Sequence, residues 1–367
     1  MNQPTSLLFL LLLVDFALLD NNSRYITFLE DQQRLYNYLF ANYSTKLTPI
    51  FTLDRSNGSD VIPKFTVYME CSFLKLIQIS DPEESATFIF DYTNTWQDPR
   101  LSWDPSDYGG IDHLYLPMSE VWIPEVAVVD CTEVRTFLPE NMQNVHIKST
   151  GQVSFYQIEL VSVICQMDVF QFPMDQQTCG VSVIFFTYES DEYQINATFG
   201  TLVKPVNQLG NGEWQVLGVE MGYELTLNGT SFVNMFNAKL KRNPGFYIVL
   251  VIIPAYFINA LSIIALFFNI GNHEKQFEIG LTNIMSMSFI MVILSDDLPK
   301  TKNIPFLAIY VLISLAIIVA AMATVLFIPK MKKYFMVFEK IRKFKVEYII
   351  MIIFQLANLI NFIVLFL

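Results

Sequence analysis

The sequence predicts an extracellular β-sandwich of Ig-like design, with about ten strands and an N-terminal helix, followed by an all-α transmembrane domain of four helices. Three observations carry this prediction. The 367 residues divide by composition: residues 21–243 read as ordinary soluble sequence, while the chain from Phe246 onward is almost wholly apolar. All four Trp and all four Cys lie in the first part. That part consists of short alternating runs parted by turn signals, the pattern of a sandwich. In the second part, Phe246–Phe268, Pro305–Ile328 and Val346–Leu367 each approach the roughly 20 residues needed to cross a bilayer.

Taken in order, residues 1–20 hold an apolar block, Leu7–Val14, too short to span a membrane and readable as a secretory signal peptide. Ser23–Tyr43 reads as a helix with Ser23 as its cap and Ile26, Leu29, Tyr36 and Leu39 on one stripe. Strands are expected at Lys64–Ile79, Ser85–Asp91, Gln152–Val163, Val181–Thr187 and Glu213–Leu227. Turns are expected at Ser56-Asn57-Gly58, Asp104-Pro105 and Gly109-Gly110. Cys165 and Cys179 enclose CQMDVFQFPMDQQTC; in an oxidising compartment they should pair, closing a loop worth about 3 kcal/mol of chain entropy. Phe172-Pro173 would place an apolar knuckle at its tip. Cys71 and Cys131 leave two readings open, a second bridge or two free buried thiols.

Sidedness follows from two signs. Glycosylation sequons stand at Asn21, Asn42, Asn57, Asn196 and Asn228, and none follows Phe246. The short linker Lys330–Lys345 carries seven Lys or Arg against one Glu, which the positive-inside rule assigns to the cytoplasm. The expectation is a four-span plasma-membrane protein, residues 244–367 forming the membrane domain, with the N-terminal domain and the C-terminus outside.

The remaining helix, 274–298, is unlike its neighbours because it carries acids at both ends. Glu278, Thr282, Met285, Phe289, Val292 and Asp296 recur every four then three residues, so they share one face, with Glu274 a turn below. Ile279, Leu281, Ile284, Ile290, Met291 and Leu294 occupy the others. A carboxylate turned to lipid is costly. The stripe therefore needs a wet surface, which a ring of such chains would supply, and the working expectation is a pore.

Other classes are excluded. The net charge of −12 argues against nucleic acid. It would instead concentrate cations over the acid-rich first part. His113, His146 and His273 have no nucleophile partner or ligand spacing in any recognisable motif, so no enzymatic chemistry, metal or cofactor is expected. Internal repeats and broken helices, the marks of a transporter, are missing from the sequence.

The motifs themselves are distinctive in their order. Arg34-Leu35-Tyr36 and Asn42-Tyr43 are followed by Trp96-x-Asp98-x-Arg100-Leu101-x-Trp103, Asp104-Pro105, Tyr108-Gly109-Gly110 and Trp122-x-Pro124-Glu125. The cysteine loop with Phe172-Pro173-Met174-Asp175 comes next, then Arg242-x-Pro244-x-Phe246-Tyr247 before the first span. From about Gln33 to Leu367 the chain resembles the pentameric ligand-gated ion channels, or Cys-loop receptors, in their nicotinic acetylcholine receptor-like branch.

The resemblance implies four further subunits in a homopentamer, permeant cations, a surrounding lipid bilayer, and a small-molecule ligand held between neighbouring sandwiches. It assigns Phe186, where the family usually has Trp, together with Tyr188, Tyr223 and Val129 to one side of the ligand site. Phe90, Asp91, Phe155 and Gln157 are assigned to the other, Asp91 falling where a Trp is usual. The flap after Trp214 lacks the adjacent cysteine pair of acetylcholine-binding subunits, so acetylcholine is not the expected ligand. For coupling, the resemblance places Phe172, Pro173 and Asp175, with the turn bearing Glu83 and Glu84, over the linker from Pro299 to Pro305. Arg242 beneath them would face Asp175 and Glu83 or Glu84.

In the pore, rings of Glu274, Glu278 and Asp296 would select cations. Asn272-His273-Glu274-Lys275-Gln276 stands where anion-selective relatives have Pro-Ala-Arg. Met285 and Phe289, flanked by Thr282 and Val292, would gate by dewetting. The alternative is a non-conducting receptor or accessory subunit of the same fold.

Overall fold

The computed structural model describes the backbone of residues 5–52, 63–200, 205–225, 232–268, 273–298, 304–334 and 343–366. A helix, α1 (Thr5–Phe40), runs without a break through the apolar block and the segment expected to begin a helix at Ser23, and stops short of Tyr43. Its side chains are described from Ser23 on. Leu35 and Leu39 are buried, whereas Ile26 and Leu29 are exposed. Among the described side chains of α1 the buried ones lie in its last turns, so Ile26 and Leu29 do not share the packing face expected for Ser23–Tyr43.

The sandwich has eleven strands: β1 (Phe65–Ser80), β2 (Ser85–Ser102), β3 (His113–Pro117), β4 (Ala127–Val129), β5 (Cys131–Thr136), β6 (Asn144–Lys148), β7 (Thr150–Ile164), β8 (Gln176–Ile184), β9 (Tyr193–Phe199), β10 (Trp214–Leu225) and β11 (Phe232–Arg242). One sheet runs β3-β6-β7-β2-β1-β9, with β5 also paired to β7; the other runs β10-β11-β8-β4. Trp96, Trp214, Phe88, Phe90, Phe236 and Tyr193 fill the space between them. The Cys165–Cys179 disulfide joins the end of β7 to β8, and so ties one sheet to the other.

β2 runs eleven residues beyond its expected end at Asp91. The extension carries Asp98 and Arg100, whose charges are satisfied locally. Arg100 grips the buried Asp98 carboxylate with two hydrogen bonds, 2.8 and 2.7 Å. Tyr43 donates to the same carboxylate at 3.2 Å and receives the Trp122 N–H at 2.9 Å. A carboxylate held this way can sit in a strand facing the core.

Register excludes a second disulfide: Cys71 and Cys131 are both free. Cys71 pairs with Tyr92 on β2, whereas Cys131 pairs with Val163, which lies against Ala86. Tyr92 and Ala86 are roughly 20 Å apart along β2, and two strands intervene, far beyond the ~7 Å a bridge tolerates. Burial pushes the Cys71 thiol up to about 12, so it stays protonated.

Below the sandwich come α2 (Gly245–Phe268, with a π-helical turn at Ile248–Ile252), α3 (His273–Asp297), α4 (Phe306–Tyr334) and α5 (Lys343–Val364). All four contain stretches long and apolar enough to cross a membrane. α3 and α5 lie on opposite sides of the α2–α4 pair. Buried amides stitch the bundle together: Asn283 of α3 donates to Asn259 of α2 (3.2 Å), Asn259 to the Ser314 carbonyl of α4 (3.1 Å), and Asn361 of α5 to Ser314 Oγ (3.0 Å). In lipid, where packing gains little from hydrophobicity, such bonds fix which helix faces touch.

Candidate functional site

Three segments converge on Arg242, the last residue of β11, and the convergence is chemical. Its guanidinium, almost wholly buried, reaches Asp175 at 2.8 Å, Asp81 at 2.7 Å and Glu213 at 2.6 Å. It also lies over the rings of Trp214 (4.1 Å) and Phe172 (4.8 Å). Burial works against the cation, but the hydrogen bond and charge of Asp175, then Asp81 and Glu213, more than offset it and hold its pKa above the ordinary arginine value. Asp81 fares differently. Burial, with Glu213 and Asp175 nearby, raises its carboxyl to about 6 despite Arg242. One cation cannot neutralise three carboxylates, so the least favoured of them resists ionisation.

Two expected partners are therefore corrected. Glu83 is exposed, and neither it nor Glu84 pairs with Arg242; Asp81 and Glu213 do. Glu84 serves through its backbone instead. With φ at 47° it closes the β1–β2 turn, and its carbonyl accepts the Cys165 N–H at 2.7 Å. This bond ties that turn to the disulfide loop.

The loop tip also differs from expectation. Phe172 and Pro173 are buried, Phe172 packing edge-on to Tyr247 of α2 at 4.7 Å. The exposed knuckle is Phe170, whose ring meets Phe306 of α4 at 4.7 Å and whose carbonyl accepts the Phe306 N–H at 2.9 Å. Pro299 lies outside the described residues.

The residues assigned to the ligand site divide between faces. Phe186 and Tyr223 are 66% and 78% exposed. β8 ends before Phe186 because the Glu125 carboxylate takes the N–H groups of Phe186 and Thr187, both at 3.2 Å. Tyr188 is half-buried and stacks on Tyr193 at 5.0 Å. Val129 is half-buried at the end of β4.

On the other sheet, Phe90 and Phe155 point into the core, and Gln157 bonds Glu159 on the same side. These three cannot line an outer surface. Strand alternation fixes this: Val153, Phe155, Val161 and Val163 of β7 are buried, so Ser154, Tyr156 and Ile158 face outward. Asp91 does face outward, and Tyr156, which the sequence reading missed, donates to it at 2.7 Å. Burial pushes the Tyr156 hydroxyl up to about 12, with Asp91 adding to the rise. The apolar alternation of β7 was itself the signal that Tyr156, not Phe155, is the surface aromatic.

On α3, Met285, Phe289 and Val292 are 72%, 67% and 57% exposed, and Glu274, Glu278, Thr282 and Asp296 are exposed with them. The opposite face is buried at Gln276, Gly280, Asn283, Met287 and Leu294. Gly280 admits the Met322 thioether of α4 where a Cβ would stand.

Of the two sequons whose surroundings are described, Asn42 and Asn196 are both exposed. Asn57 and Asn228 lie outside the described residues, and no side-chain surroundings are described for Asn21. Among the described residues, no group of three or more His, Cys, Asp or Glu side chains is placed to hold a metal ion.

A two-sheet sandwich is bridged by a cysteine loop, and that loop and a buried arginine are set over four helices long and apolar enough to cross a membrane, which is the arrangement that the resemblance to Cys-loop receptors implies. The comparisons agree. Residues 32–244, more than half the chain, match the neurotransmitter-gated ion-channel ligand binding domain, and the chain belongs to that family, the Cys-loop receptors. It is similar to a proton-gated ion channel subunit, pbo-6, of Caenorhabditis elegans (28% identity, covering 68% of this chain and 60% of the relative). It is also similar to the 5-hydroxytryptamine receptor 3A of Cavia porcellus (25%; 82% and 60%) and to an acetylcholine receptor subunit alpha-like 2 of Drosophila melanogaster (26%; 78% and 51%). The chain spans about half to three-fifths of the length of these relatives.

Proposed function

We propose that the chain is a subunit of a pentameric, cation-selective channel, opened by a ligand that binds between neighbouring sandwiches and conducting through a pore lined by α3. The observation that carries this reading is the exposed stripe of α3. Its acids and its apolar middle lie on the side turned away from the other helices, and that side also holds Met285 and Phe289. Lipid would make Glu278 and Asp296 costly there, whereas a shared aqueous axis would use them. Rings of carboxylate at the two mouths favour cations, and Met285 and Phe289 between them form a constriction that dewetting can close.

Arg242 and its three carboxylates support a second element of the reading. They join the β1–β2 turn, the disulfide loop and the start of β10 to the start of α2, and Phe170 adds α4. A change at the ligand site would thus reach the helices through one charged cluster.

The test is the reversal potential in asymmetric salt, measured on wild type and Glu278→Gln expressed in a cell without related channels. Cation selectivity that weakens in the variant is expected. A variant with unchanged preference would remove Glu278 from the filter. Wild-type protein that reaches the surface as an oligomer, yet passes no current with any cationic amine or with protons, would favour the non-conducting receptor.

A further inference from the structure

His113 and His146 share no motif in the sequence, but the β3–β6 pairing brings them together. Register sets His113 opposite Lys148 and Tyr115 opposite His146, so the two histidines are diagonal neighbours on the outer face. Their ring centres are 5.2 Å apart at 69°. Two imidazoles bound to one tetrahedral zinc at about 2.0–2.1 Å would have ring centres roughly 5 Å apart.

We propose that His113 and His146 form a binding site for a divalent transition metal of the zinc type on the outer face of the seven-stranded sheet, with Asp112 as its positioning residue. Asp112 Oδ1 is 2.5 Å from His113 Nδ1. A carboxylate on that nitrogen fixes the tautomer and leaves Nε2 with its lone pair free for the metal. Tyr115 stacks on the His146 ring at 4.9 Å, holding its plane. The charged groups around the pair are Asp112 and Lys148. Two protein ligands leave the other positions to water, which makes this a weaker site than a closed structural one.

Its place on the sheet gives it a use. His146 pairs with Ser154 and Ser154 with Thr95, so the metal pair shares an outward surface with Tyr156 and Asp91. Binding itself does not depend on the channel reading.

The test is calorimetric titration of the tag-free, detergent-purified full chain with Zn²⁺ alone at pH 7.5. One site per chain is expected. His113→Ala and His146→Ala should each weaken it at least tenfold, and Asp112→Asn about tenfold. His113 is exposed and His146 half-buried, and the melting temperature of each variant checks that it folds. Zinc affinity equal in wild type and the double histidine variant, or no binding, would overturn the proposal.

Discussion

At the scale of single residues, the Arg242 cluster is where charge is least balanced. Its cation is held charged while Asp81, in the same cluster, is raised from 3.8 to about 6. The sign follows. A carboxyl whose folded pKa is raised binds its proton more tightly in the folded state. Asp81 therefore stabilises most at low pH, and that contribution is lost as pH rises through about 6. Lowering pH from 7.5 to 5 should accordingly raise the stability of the junction through Asp81, by about 2 kcal/mol at most. In Asp81→Asn this part of the pH dependence should vanish. Trp214, against the guanidinium, provides the fluorescence to follow thermal unfolding across pH. If the variant keeps the wild-type slope, another group titrates there. Arg242→Gln is a harsher change. It strands Asp175 and Asp81 without their counterion in a buried place, and a loss of about 3–5 kcal/mol is expected. Failure to reach the cell surface, scored by antibody binding to intact cells, is how that loss would show.

At the scale of elements, one close contact decides how two neighbouring strands pack. Gly180 of β8 stands opposite Asn237 of β11, and a Cβ there would fall on the Phe236 carbonyl oxygen. Backbone cannot step aside as a flexible side chain can, so Gly180→Ala should cost about 1–3 kcal/mol by forcing β8 and β11 apart. The melting temperature of the purified protein measures it. An unchanged value would mean that the two strands adjust freely. Phe289→Ala on α3 tests a different property. Removing the bulkiest ring from the exposed stripe should give standing leak current or opening at lower ligand concentration. A variant as silent at rest as its parent would place the gate elsewhere on the helix.

At the scale of the whole molecule, what the sequence made legible was set by how strict each physical demand is. The four spans could be read because a bilayer forces backbone bonding inside the helix and leaves only apolar side chains outside. The disulfide could be read because Cys165 and Cys179 are near each other in the chain, 14 residues apart. Long-range pairings could not. Asp81, Glu213 and Arg242 meet only once three distant segments are folded together, and His113 meets His146 only through sheet register. Phe90, Phe155 and Gln157 lie on the inner side of their sheet, contrary to the assignment the resemblance implies, and the alternation along β7 and β2 is what tells the two sides apart.

The stripe of α3 was legible as a face, but what that face meets is a property of the assembly, and it admits a direct test. Cysteine introduced at Met285 or Val292 should react with a small cationic thiol reagent applied in water to open channels, and the reaction should block current. Cysteine at Ile353, exposed on α5 on the far side of the α2–α4 pair, should not react, because lipid would cover it. Wild type controls for the native thiols Cys71 and Cys131. Equal protection at all three positions would put the acidic stripe against acyl chains, and no ring of subunits could then be built around it.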